Sequence, residues 1–129
     1  MAGRRSAPRT GPGASRRFPR SIRLRKSADY DLVHRTGSRL DYGILWVRYR
    51  PMPGCSPRFG LAVSRRVGKA VVRNRVKRWI REAIRHERGD LTGVDVVFVA
   101  RPSAAAAGYL AVRRAVARAM AEVAAQGGE

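Results

Sequence analysis

The sequence predicts an α+β protein, a two-layer α/β sandwich with element order αββαβα and a small sheet. Three observations predict it. The chain has 129 residues, enough for one hydrophobic core and not two. Val72, Val76, Trp79, Ile80, Ala83 and Ile84 recur at the spacing of one buried helical stripe. Short apolar runs of strand length, "RFGLAVS" and "GVDVVFVAR", flank that helix. Alternation of strands and helices at this length favours one sheet with helices packed on one face and the other face more open.

Residues 1–21, "MAGRRSAPRTGPGASRRFPRS", contain no acid and show no apolar periodicity. They are expected to form a disordered basic arm, because they cannot bury enough surface to offset the entropy of ordering. The arm's Arg and Ser content partly matches an organellar transit peptide. Pro8, Pro12 and Pro19 would break the amphipathic helix such a peptide needs.

A single domain is expected over residues 22–125. It opens with a short helix in "RLRKSADYDLVHRTGSR". Ser27 can cap it, Asp29 suits its positive end, Tyr30, Val33 and His34 share a face, and Gly37 can end it in a left-handed conformation. "LDYGILWVRYR" reads as one long strand, with Tyr42, Ile44 and Trp46 on one side and Leu45, Val47 and Tyr49 on the other. "PMPGCSP" is a loop. In the strand "RFGLAVS", Phe59, Leu61 and Val63 make the bulky face, and Gly60, Ala62 and Ser64 the flat one.

The central helix follows, and "GVDVVFVAR" is short and apolar enough to be a buried strand. An Ala-rich helix capped by Ser103 comes last, with the stripe Tyr109, Val112, Val116, Met120, Val123. Residues 126–129 are expected to be a flexible tail.

Charge is the unusual property. Lys and Arg total 28 against 9 Asp and Glu, a formal net charge of +19. Such a chain repels itself, and a polyanion is the usual partner that relieves this. No apolar run approaches the roughly 18 residues of a spanning helix, so a membrane-integral protein is not expected. Cys55 is the single cysteine, which fits a reducing, intracellular setting.

Catalytic constellations are missing. His34 and His86 are far apart, no GxSxG elbow occurs, and Ala70 after Lys69 breaks a phosphate-loop frame. No catalytic residue, metal ligand or cofactor site is therefore assigned to the chain itself.

Binding is better supported. From Arg58 to Arg85 there are ten basic residues and one acid. Arg65, Arg66 and Lys69 lie on the loop entering the central helix, beside its first free N–H groups, where phosphate is favoured. Asn74, Lys77, Arg78, Arg81, Arg85 and Arg88 gather opposite the apolar stripe, with Arg73 and Arg75 on its flanks. An ordinary solvated face would mix signs. Tyr30, Tyr42 and Trp46 could stack unpaired bases or simply fill the core, and for Tyr30 and Trp46 pattern leaves both readings open. Trp79 belongs to the core.

These residues resemble a known family. "VSRRVGKAVVRNRVKRWIREAIR" is similar to the signature of the protein component of bacterial ribonuclease P, with its Arg-Asn-Arg helix. Leu24, Asp29, Tyr30, Val33 and Gly37 match upstream, as does "DVVFVARP" downstream, so the resemblance spans about residues 22–123. It implies a mixed sheet with a left-handed βαβ crossover, against the usual handedness. It also implies that an RNA subunit removes the 5′ leader of precursor tRNA by magnesium-dependent hydrolysis. The protein then binds that RNA, one to one, together with the leader. Mg2+ would be required by the RNA-containing holoenzyme and bound by no site on the protein alone.

By position, Arg65, Arg66, Lys69, Arg73, Asn74, Arg75, Lys77, Arg78 and Arg81 would contact the RNA subunit. Tyr30, His34, Trp46 and Arg58 would form the leader cleft, between the first helix and the open sheet face. His34 stands where the family often has an aromatic. A bacterial, cytoplasmic protein is implied. A structural RNA-binding protein and a protein-only nuclease are the competing readings, and the second lacks the carboxylate cluster that two metals need.

Overall fold

A computed structural model describes residues 23, 24, 27–89, 91 and 93–127, and the predicted basic arm lies outside them. The elements are α1 (Ser27–Thr36), β1 (Ser38–Asp41), β2 (Leu45–Pro51), β3 (Arg58–Val63), a 3-10 turn (Arg65–Val67), α2 (Ala70–Glu87), β4 (Val94–Ala100), α3 (Ser103–Ala107) and α4 (Tyr109–Gly127). The observed order is αβββαβαα, one strand more than predicted and with the last predicted helix in two pieces.

The extra strand arises because "LDYGILWVRYR" is not continuous. Its apolar pattern runs through a turn at Tyr42–Ile44, where Gly43 takes a φ of 86°. The Asp41 carboxylate accepts the Gly43 N–H, and the Arg101 guanidinium forks onto the same carboxylate at 2.7 and 2.6 Å. The result is a hairpin in register Ser38↔Tyr49 to Asp41↔Trp46.

Tyr42 consequently does not share Trp46's side. Its hydroxyl donates to Glu122 on α4, and the ring packs against the main core.

The sheet order is β1-β2-β4-β3, with β3 parallel to β4 and the other pairs antiparallel. β4 therefore sits inside the sheet, between β2 and β3. On one face, Leu45, Val47 and Tyr49, Phe59, and Val94, Val96 and Phe98 pack on Val76, Ile80, Ala83 and Ile84 of α2. Val112, Val116, Met120 and Val123 of α4 complete that core. Full burial of a side chain such as Ile80 or Phe98 stabilises the fold by about 1.5–3 kcal/mol.

On the other face, Leu24, Val33 and Val97 form a smaller cluster under Tyr30 and Val99. α1 thus covers part of the face expected to be open. β4 is buried on both sides, which is why its sequence is nearly continuous in apolar residues.

Three local expectations change. Gly37 is not left-handed. It is needed because a Cβ there would lie 2.5 Å from the Val33 carbonyl oxygen and 2.6 Å from that of Tyr49. The last helix is two helices, broken at Gly108 (φ 90°), and Pro102 occupies the cap position predicted for Ser103. α4 continues through Gly127, and Gln126 accepts the Tyr49 hydroxyl. Ser27 begins α1, but its side chain lies outside what is described. Among the described residues no helix is long and apolar enough to cross a membrane.

Candidate nucleic-acid interface

Two surfaces carry the predicted residues. The first begins where β3 ends. The Ser64 hydroxyl accepts the Arg66 N–H and starts the 3-10 turn, leaving Arg65 and Arg66 exposed. Lys69 then occupies the N-cap position of α2 with no side-chain capping bond, and the helix has no acid in its first turn. Its first N–H groups and positive end are thus left to an external anion. Along α2, Asn74, Arg75 and Arg78 are exposed, while Arg73, Lys77 and Arg81 are half-buried.

The second surface is the α1 side of the sheet. Trp46 and Arg48 alternate outward along β2, opposite Val47 and Tyr49 in the core. His34 meets the Trp46 ring edge-on at 5.9 Å and 64°. The Arg39 guanidinium lies 4.2 Å from the ring centroid and that of Arg48 lies 6.0 Å from it.

Arg39 and Arg48 are direct cross-strand partners, and like charges so placed destabilise a strand pair. The Asp41 carboxylate, 3.6 Å from Arg39, offsets part of that repulsion, and a bound phosphate would relieve it further. Neither arginine was singled out from the sequence. The alternation in "WVRYR" places Arg48 beside Trp46, but Arg39 became visible only once β1 was separated from β2.

Tyr30 lies at the seam between the two surfaces. Its ring covers Gly60, and its hydroxyl accepts the Leu61 N–H at 3.1 Å, at the outer edge of β3. Leu24 pairs with the same edge through Phe59. A cavity of about 120 Å³ opens beside it, lined by Arg23, Tyr30, Gly60, Lys77 and Arg81 among others.

Burial lowers the affinity of the Arg81 guanidinium for its proton, the nearby Arg23 charge adds to this, and Tyr30 opposes it. The Arg81 Nε is buried without a hydrogen-bond partner. Burial likewise raises the Tyr30 phenol, against the Leu61 backbone bond and the Arg81 charge. Lys77 and Arg81, assigned from sequence to the helix surface, therefore share a cavity with Tyr30 of the cleft.

Arg58 is placed differently from the other cleft residues. Its guanidinium is turned onto Asp95 and Asp29. Among the described residues no group of three His, Cys, Asp or Glu side chains could hold a metal ion. Asp29, Asp41, Asp95, Glu82 and Glu87 are each paired with an arginine, so these donors do not fit a magnesium site.

Comparison with known proteins places this arrangement. A family model described as Ribonuclease P matches residues 18–124. The ribonuclease P protein component of Xanthomonas euvesicatoria is 45% identical over 104 residues, covering 80% of this chain and 71% of that protein. That of Methylococcus capsulatus is 38% identical over 106 residues, covering 81% and 83%.

Among solved structures, the RNase P protein of Thermotoga maritima superposes with a TM-score of 0.70 at 30% identity, covering 78% of this chain and 96% of that one. The Staphylococcus aureus RNase P protein, at 23% identity, shares the fold with a TM-score of 0.74 over 85% of this chain and all of the other. With a match over most of its length and relatives at this identity, the chain belongs to the bacterial ribonuclease P protein family.

Proposed function

We propose that the two surfaces divide the work of a ribonuclease P protein subunit, the component of an endoribonuclease that processes the 5′ end of tRNA. Partnership with the ribonuclease P RNA follows from family membership. In our reading the entry turn and α2 dock that RNA through Arg65, Arg66, Lys69, Arg73, Asn74, Arg75, Lys77, Arg78 and Arg81. The cleft bordered by Tyr30, His34, Trp46 and Arg58 receives the single-stranded leader of precursor tRNA.

The observation that carries this reading is the meeting of the two surfaces. An acid-free helix start leads through the Lys77–Arg81–Tyr30 cavity to a face that offers Trp46 and His34 between arginines. Phosphates can follow the cations while unpaired bases find rings.

The RNA subunit supplies catalysis and holds the Mg2+, in a one-to-one complex in the bacterial cytoplasm. The protein contributes affinity and register. Reconstitution with the cognate RNA at low Mg2+ tests this. The protein is expected to raise cleavage of precursor tRNA, more for substrates with a leader several nucleotides long than for one-nucleotide leaders. The isolated chain is expected to cleave nothing. Cleavage unchanged by the protein would refute the reading.

A further inference from the structure

We infer that Arg58 is a positioning residue that bolts α1 to the sheet, and not a contact for leader phosphate. The inference rests on the cleft reading above and assigns one of its residues a different task.

Asp95 is the one buried charged side chain among the described residues, wholly buried on β4 beneath α1. Its register partners are Arg50 on β2 and Arg58 on β3, so the three side chains form a row across adjacent strands. Arg58 forks onto Asp95, with Nε 3.0 Å from one carboxylate oxygen and Nη2 2.9 Å from the other. Its Nη1 donates to Asp29, in the first turn of α1, at 3.2 Å. Arg50 approaches Asp95 to 3.6 Å.

With Asp29 counted beside the row, two arginines face two carboxylates, and the four-residue cluster is electrically neutral. A phosphate reaching Arg58 would compete with both acids for a guanidinium whose three nitrogens each already donate to a carboxylate, in a fork geometry that suits carboxylate.

The mechanical consequence falls on Tyr30. Asp29 precedes it in α1, and Arg58 stands two residues before Gly60, the residue its ring covers. Arg58 holds the start of α1, the Tyr30–Leu61 bond holds its middle, and Arg48 holds its end by donating to the Gly37 carbonyl at 3.0 Å. Releasing the first of these frees the turn that orients Tyr30 and, one turn on, His34.

Asp29→Ala separates the two roles because they predict opposite signs. A phosphate-contacting Arg58 would be released from a competitor, and leader binding would strengthen. A clamping Arg58 loses its hold on α1, and leader binding weakens. The holoenzyme is assayed for affinity toward precursor tRNA and leaderless tRNA over a range of salt, with hydrogen exchange followed on the same protein.

The expected result is an affinity ratio reduced about two- to fivefold, the size of a partly exposed ion pair, with an unchanged salt slope. Exchange should speed up in α1 and not in α2, and affinity for the RNA subunit should hold. Arg58→Lys, which keeps the charge and loses the fork, should behave in the same way.

Where the wild-type holoenzyme prefers the leader-bearing substrate, a ratio that is unchanged or rises in Asp29→Ala overturns the clamp, and α1 exchange that does not change overturns it in every case. A wild-type holoenzyme that binds both substrates equally, with α1 exchange still faster in Asp29→Ala, supports the clamp and sinks the leader reading instead.

Discussion

Replacing Gly60 with alanine adds one methyl group, and nearly all of its effect should fall on Tyr30. A Cβ built on Gly60 lies 2.7 Å from both Cζ and Oη of Tyr30 and 3.0 Å from Cε2. Gly60 is not among the positive-φ glycines, so alanine itself meets no backbone strain. The ring must move, and it is not free to do so, because its hydroxyl accepts the Leu61 N–H at 3.1 Å.

Losing that bond costs about 0.5–1.5 kcal/mol net, and overpacking typically costs about 1–3 kcal/mol. The two overlap, since moving the ring relieves the clash. A destabilisation of about 1–3 kcal/mol is therefore expected for Gly60→Ala. In a domain of this size, each kcal/mol lowers the melting temperature by roughly 4–8 °C.

Thermal denaturation of wild type, Gly60→Ala, Tyr30→Ala and the double variant completes a cycle. With the ring gone, the three nearest contacts of the added methyl are removed, so the Gly60→Ala penalty should fall to near zero in the Tyr30→Ala background. An equal penalty in both backgrounds refutes the reasoning, because the methyl would then be clashing with something other than Tyr30.

Two further outcomes are expected. Arg75→Ala, at an exposed position on α2, should weaken binding to the ribonuclease P RNA and make its log–log salt dependence shallower by about one unit. Stability should stay within about 0.5 kcal/mol, and unfolding of the variant would mean that a packing residue had been mistaken for a contact. At the β1–β2 hairpin, the Arg101 fork, followed by the Gly43 N–H, holds the Asp41 carboxyl well below its ordinary 3.8. Because the folded value is depressed, the pair's stabilisation is fully present above the unfolded value and is lost as pH falls through the folded one. The stability difference between wild type and Asp41→Asn should stay level from neutral pH to about 5 and shrink below 3.8. A difference that grows on acidification would reverse the sign and refute the assignment.

Periodicity is a local property, and what it encodes was legible. The apolar stripe of α2, the opposed cations and the acid-free approach from Arg65 to Lys69 are set by residue spacing along one helix. They hold wherever that helix docks. The flat face of β3 was also visible in Gly60 and Ala62.

Contacts between distant segments were not legible. The turn at Gly43 was hidden because the apolar pattern runs straight through it, and the local Asp41–Gly43 bond is reinforced by an Arg101–Asp41 fork from 60 residues away. The side of the sheet taken by α1 depends on the Tyr30–Gly60 approach and on Leu24 pairing with Phe59, which no window of sequence contains.

Arg58 shows the division most clearly. From sequence it is one more cation opening a basic stretch. In the fold, strand register brings it beside Asp95 and helix placement brings Asp29 within reach, so its charge is spent internally. Charge count was a property of the sequence. Which charges remain available to RNA was decided by tertiary structure, because an ion pair forms only where the folded backbone brings its partners together.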